Sequence, residues 1–249
     1  MTRQNILITG ASSGLGYTMA KQYAAKGRNL ALCARRVEQL EELRSEINKI
    51  NPDVKVFIRP LDVNNHDQVF DVFKAFKQDM GQIDRVIVNA GMGKGAPLGT
   101  GYFIANKQTA ITNFVSALAQ CEAALEIFRE QNQGHLVTMS SMSGVRGFRR
   151  ALTVYAATKA GLSNLSEGIR MDLLDSPINV TTIHPGFIRT DINKKVKNVP
   201  FIVDVDTGCR SIVNAIEKEG ANYYVPSWPW ALVCYLMKIA PLRLLAKMS

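Results

Sequence analysis

The chain alternates short, wholly apolar runs with longer stretches in which apolar residues recur at helical spacing. Residues 5–9 (Asn-Ile-Leu-Ile-Thr) form the first run. It leads into Gly10-Ala-Ser-Ser-Gly-Leu-Gly16, and a helical pattern then continues to about Ala25 and closes at Gly27. The second run, 29–34, is followed by a polar amphipathic helix over 38–50 that Asn51-Pro52 stops. The same rhythm predicts strands at 54–58, 85–89, 135–140, 178–184 and 223–226, and helices at 67–79, 109–130, 155–174 and 207–218. The strand runs are continuously apolar rather than alternating, which calls for strands covered on both faces. Strands of that kind separated by helices predict an α/β fold: a doubly wound, mostly parallel seven-stranded sheet with helices on both faces. No linker, low-complexity segment or internal repeat interrupts the pattern, so 1–249 reads as one domain.

Composition narrows the partners. With 249 residues, 47% hydrophobic and 20% charged, the chain has the make-up of a globular protein with a sizeable core. The net charge of +9 favours anionic partners: nucleic acid, a membrane surface, or a phosphorylated cofactor or substrate. No Lys/Arg block suited to a nucleic-acid tail is present, which sets nucleic acid aside. Cys33, Cys121, Cys209 and Cys234 are isolated and read as reduced, buried thiols. His66, His135 and His184 are equally scattered, which argues against a metal site. The N-terminus passes at once into a strand with no room for a signal peptide, so the expected location is cytoplasmic.

Two stretches carry candidate chemistry. A glycine-rich turn between a strand and a helix lets backbone N–H groups approach a phosphate at the positive end of the helix dipole, and Gly10, Gly14 and Gly16 occupy such a turn. Their spacing, Gly-x-x-x-Gly-x-Gly, differs by one residue from the commoner dinucleotide fingerprint. The second strand ends in Ala34-Arg35-Arg36 instead of the carboxylate that receives a ribose 2′-hydroxyl. Two guanidiniums there suit a 2′-phosphate, so the expected cofactor is NADP(H); the plainer reading is a pair of solvated arginines opening a helix. Further along, Tyr155 and Lys159 lie one helical turn apart. An ammonium beneath a phenol favours its ionised form and lowers a pKa that starts near ~10. Alone, that spacing is common on helix surfaces, and its weight comes from the company it keeps.

That company resembles the short-chain dehydrogenase/reductase family, of the single-domain, Rossmann-like type. The matching motifs run from Thr9 to Thr190: Thr-Gly-x-x-x-Gly-x-Gly at 9–16, Asp62-Val63, Asn89-Ala90-Gly91, Asn113, Ser140-Ser141, Tyr155-x-x-x-Lys159, and Pro185-Gly186 followed by Thr190. The resemblance implies a catalytic set of Asn113, Ser141, Tyr155 and Lys159. It implies cofactor contacts from Gly10, Ser12, Ser13, Gly14, Leu15 and Gly16, with Arg35 and Arg36 beside them. Asp62 and Val63 would meet the adenine, Asn89, Ala90 and Gly91 would line the ribose, and Pro185, Gly186 and Thr190 would hold the nicotinamide end. Tyr155 and Lys159 would touch the cofactor as well. Residue by residue, bland roles stand beside these: Asp62 as the cap of a turn, Asn113 as a core amide that must be bonded. The reaction implied is hydride transfer between a carbonyl and a secondary alcohol, with Ser141 polarising the oxygen, Tyr155 moving the proton, and Asn113 holding a water in a relay to Lys159. The competing reading is a non-catalytic NADP(H) sensor or a membrane-associated scaffold. Such proteins typically lose the tyrosine or the lysine, and both stand here.

Two regions depart from the family pattern. Ser141 and Tyr155 stand one position further apart than is common, which leaves Ser140 and Ser143 open as the oxyanion donor, although Ser-Ser-x-x-Gly with Gly144 aligns best on Ser141. The intervening segment holds Arg146, Arg149 and Arg150, either solvated or placed for an anionic substrate handle. Residues 191–206 resemble the substrate lid. The apolar extension at 228–249 is too short and too interrupted by Lys238, Pro241 and Arg243 to span a membrane. It suits a helix in a membrane interface, a subunit contact, or a portal for an apolar substrate such as a lipid or thioester. The resemblance also implies a homodimer or homotetramer.

Overall fold

The computed structural model describes residues 2–190 and 200–248. Its strands β1 (Asn5–Thr9), β2 (Asn29–Ala34), β3 (Val56–Pro60), β4 (Arg85–Val88), β5 (Gly134–Met139), β6 (Ile178–Pro185) and β7 (Asn222–Val225) form one seven-stranded sheet in the order β3-β2-β1-β4-β5-β6-β7. All its pairings are parallel. The helices are α1 (Gly14–Ala25), α2 (Val37–Ile50), α3 (His66–Met80), α4 (Phe103–Ala110), α5 (Ser116–Gln131), α6 (Thr153–Asp172), α7 (Val205–Ile216), α8 (Ser227–Ile239) and α9 (Leu242–Met248). This is the doubly wound, Rossmann-like architecture that the continuous apolar runs predict.

The sheet is buried on both sides because each strand alternates its side chains between two cores. Ile6 and Ile8 of β1 point into a core shared with α1, α2 and α7, while Leu7 points into one shared with α3, α5 and α6. The strand order reverses between β1 and β4, and the crevice this leaves at the carboxyl ends is where ligands of such sheets bind. Gly134 opens β5 where a Cβ would enter the ring of the fully buried Phe128. Gly134→Ala should therefore cost about 1–3 kcal/mol by overpacking, read by chemical denaturation.

Several boundaries differ by a residue or two from the sequence expectation, and two differences have a visible cause. Strand β3 begins at Val56 rather than at residue 54 because the Asn51 side chain accepts a hydrogen bond from Asp53 N (3.1 Å), and this turn consumes the residues before it. The single helix expected at 109–130 begins six residues earlier, at Phe103, and is interrupted by a π turn over Ile111–Val115. Asn106 explains the missed start: it is buried through paired bonds to both backbone groups of Ala96, a tertiary contact with no helical periodicity to announce it. Most of the expected lid falls on 191–199, outside the described residues.

Candidate active site

The glycine turn after β1 is shaped by close approach. Gly10 (φ +65) and Gly14 (φ +59) adopt backbone conformations that side chains disfavour, and a Cβ on Gly10 would lie 2.9 Å from Ala90 Cα. A Cβ on Gly16 would come within 2.5 Å of the Gly10 carbonyl. Asn89, expected to line the cofactor, uses its side chain as a brace: its amide donates to the carbonyls of Thr9 (2.9 Å) and Gly10 (3.3 Å). Thr9 Oγ1 in turn accepts from the backbone of Asn89 and Ala90. Both Arg35 and Arg36 are exposed; Arg36 lies across this loop, donating to Ser12 Oγ (3.0 Å) and Ser13 Oγ (2.8 Å). A turn whose glycines leave the backbone open, with a guanidinium folded over its serines, fits the phosphates of a dinucleotide. Across the turn, Thr190 comes within 3.8 Å of the position a Gly14 Cβ would take, so the β6 loop meets the β1 loop. Asp62 Oδ1 accepts from Asn64 N (3.0 Å), the turn-capping role given above as its plainer reading, and Val63 is buried beside it. Leu15 packs against the core under α1.

Across the switch point, β5 and α6 bring the second set together. Ser140 donates to the Lys159 carbonyl (2.9 Å) and shares a hydrogen bond with Ser163. Ser141 follows in an extended conformation, its hydroxyl accepting from Ser143 N (3.1 Å) and reaching the Tyr155 phenol. Of the serines left open by spacing, Ser141 is the one whose hydroxyl acts on the Tyr155 phenol, in the sense that lowers its pKa. Lys159 is buried, and its ammonium donates to the Met139 carbonyl (2.7 Å). Burial pushes its pKa down to about 8. Asn113 sits in the π turn, fully committed: Oδ1 accepts from Met92 N and Nδ2 donates to Met92 O, both at 2.8 Å. Gly91 lies between, where a Cβ would meet Asn113 Oδ1 at 3.3 Å and Lys159 Nζ at 3.6 Å.

One expectation is reversed. Tyr155 is half-buried, and desolvation holds its phenol above the ordinary value; the hydrogen bond from Ser141 acts in the lowering sense. Lys159 lies 5.9 Å from the centre of the Tyr155 ring, with its ammonium turned to Met139 rather than to the phenol oxygen.

Other neighbours gave no local signal. Trp230 from α8 is 2% exposed and stacks over Gly186, where a Cβ would enter the indole. It joins Met142, Phe187 and Phe148 in a separate apolar cluster beside Ser141. His184 shares a hydrogen bond with Asn222 Oδ1 (3.2 Å) and stacks on Tyr224 with ring centres 4.8 Å apart; burial lowers its pKa. Arg146, weighed above as a substrate contact, instead donates to the carbonyls of Lys238 (2.6 Å) and Ala240, capping the end of α8.

Known proteins share this fold. The family profile described as short chain dehydrogenase matches residues 4–199. An uncharacterized oxidoreductase of Mycobacterium tuberculosis is 49% identical over 244 residues, covering 98% of this chain and 96% of that one. The crystal structure of levodione reductase superposes with a TM-score of 0.79 at 25% identity, over 88% of this chain and 91% of that one. A short chain dehydrogenase/reductase from Burkholderia phymatum, crystallised in complex with NAD, shares the fold at a TM-score of 0.83 and 20% identity, over 95% and 94% of the two chains. With its profile, its relatives and its sheet in accord, the chain belongs to the short chain dehydrogenase family and is an oxidoreductase of that family.

Proposed function

We propose that the protein is an NADP(H)-dependent oxidoreductase interconverting a carbonyl and a secondary alcohol. The observation that carries this reading is the convergence of Ser141, Tyr155 and buried Lys159 at the carboxyl edge of the sheet, with the Lys159 ammonium 5.9 Å from the centre of the Tyr155 ring. The bound cofactor would supply or accept the hydride. Ser141 donates a hydrogen bond to the substrate oxygen as negative charge builds there, and the Tyr155 phenol delivers the proton. Asn113 fixes the Met92 backbone beside Lys159. With its amide committed, any relay water held at this turn would have to bond the backbone; the wider π turn frees a carbonyl from ordinary helical pairing. A phenol held above its ordinary pKa stays protonated at neutral pH, which favours carbonyl reduction there and an alcohol oxidation rate that rises through the alkaline range.

The cofactor preference rests on Arg36. Its contacts with Ser12 and Ser13 place a guanidinium over the glycine turn, and charge-assisted bonds to a phosphate are worth about 1.5–3 kcal/mol. Arg35→Ala with Arg36→Ala should weaken NADPH binding roughly 10–100-fold while changing NADH binding little; equal weakening of both would remove the argument. The substrate reading is an apolar or acyl-chain-like carbonyl, because the apolar cluster of Met142, Phe187 and Trp230 begins at the residue after Ser141. NADPH oxidation across ketones, aldehydes and acyl thioesters of rising chain length, with NADH in parallel, tests it. Turnover that falls with chain length would refute the apolar substrate.

A further inference from the structure

The helix α8 is apolar all round, and the fold uses only half of it. Trp230, Cys234 and Met237 face inward and are buried against the loop after Ser141. On the opposite side Leu232, Tyr235, Leu236 and Ile239 repeat at helical spacing and stand open, with Tyr235 64% and Ile239 69% exposed. Leu242 of α9, 73% exposed, continues the face. Trp228, 76% exposed, precedes it. The platform is fixed from within the chain, since Arg146 caps the carbonyl end of α8. A contiguous apolar face of this kind marks an interaction site.

Its charge says what covers it. Residues 220–249 contain no aspartate or glutamate, while Lys238 and Arg243 stand exposed on the two helices. A second copy docked face to face would bring like charges together with no carboxylate from this segment to receive them. No helix among the described residues is long and apolar enough to cross a bilayer. An aromatic and aliphatic face whose own two helices carry cations and no carboxylate matches the headgroup boundary of an anionic membrane. We propose that α8 and α9 dock the protein on an anionic lipid surface, with Leu232, Tyr235, Leu236, Ile239 and Leu242 in the acyl boundary and Lys238 and Arg243 among the headgroups. This holds whatever the enzyme's substrate, and its test reads no activity.

The experiment is flotation of the full-length protein with vesicles of phosphatidylglycerol and phosphatidylcholine, against phosphatidylcholine alone, at low and high salt. The wild type should float with the anionic vesicles, and salt should weaken that binding. Leu236→Glu with Ile239→Glu should reduce partitioning at least about tenfold at an unchanged melting temperature. Lys238→Ala with Arg243→Ala should reduce it about fivefold per residue on anionic vesicles only, and it decides the matter should the glutamate variant not fold. Equal binding to both vesicle types, or to neither, overturns the proposal. So does a dimer, seen by analytical ultracentrifugation, that the glutamate variant dissociates while flotation is unchanged.

Discussion

Tyr155→Phe should lower kcat for carbonyl reduction by about 10²–10⁴-fold, the usual contribution of a positioned acid, while NADPH affinity and melting temperature stay near those of the wild type. The change removes one oxygen and keeps the ring that packs on α6, so fold and cofactor contacts have little reason to respond. The oxygen it removes is the one on whose pKa Ser141 acts. Ser141→Ala should act in the same direction by a comparable route, because the hydroxyl would face the oxygen on which charge develops. Ser140→Ala should behave differently: its hydroxyl ties β5 to the Lys159 carbonyl, and its loss should appear in stability before it appears in kcat. A Tyr155→Phe enzyme with wild-type turnover would take Tyr155 out of the proton transfer altogether.

Glu219→Gln should destabilise the protein by about 3 kcal/mol, or roughly 6–12 °C in Tm for a chain of this length, measured by thermal melting at pH 7. Glu219 anchors a buried network at the amino-terminal edge of the sheet, opposite the active site. Arg3 grips it with two bonds of 2.8 and 2.9 Å, and Arg85, only 1% exposed, reaches it at 3.1 Å. Removing the carboxylate's charge leaves guanidiniums poorly compensated where water cannot reach them. By contrast Glu46→Gln, which breaks the largely exposed Lys21–Glu46 pair (2.7 Å), should cost less than about 1 kcal/mol.

The same network sets an acid limit. Arg85 Nε donates to His135 Nδ1 (2.8 Å), so the ring's proton sits on Nε2 and is given to Thr181 Oγ1 (2.8 Å), which itself donates to the Gly220 carbonyl. A second proton on His135 would face the Arg85 guanidinium. Burial, and then that cation, push its pKa down to about 3 from an ordinary 6.5. The unfolded chain therefore binds the proton first, and this stability is complete above pH 6.5 and lost as pH falls from there toward 3. Glu219, held down to about 2 from 4.5 by its hydrogen bonds from Arg3 and Asn179 against the opposing effect of burial, loses its share between those values. Melting curves from pH 8 to 3 should show a decline beginning near pH 6.5 in the wild type. A Tm flat down to pH 5 would refute the His135 assignment.

Much of this was legible in the chain. Continuous apolar runs between helical stretches determine a parallel sheet covered on both faces, because each strand must bury both sets of side chains. The glycine turn and the pairing of Tyr155 with Lys159 are local patterns, set by backbone conformation and helical spacing, and they are readable without knowing what lies across the fold. What the sequence could not decide depends on partners distant along the chain. Arg35 and Arg36 are adjacent and alike, yet only Arg36 turns over Ser12 and Ser13. Ser140, Ser141 and Ser143 were separated only when Lys159 and Ser163 engaged the first, the second came to act on the Tyr155 phenol, and the backbone of the third bonded Ser141. Arg146 became a helix cap through a carbonyl 92 residues away. The phenol's pKa turned on desolvation and on where the Lys159 ammonium points, neither of which has a signature in spacing. A pattern of residue types fixes which groups share an element, whereas the direction of a side chain and the water around it are settled only when distant elements pack.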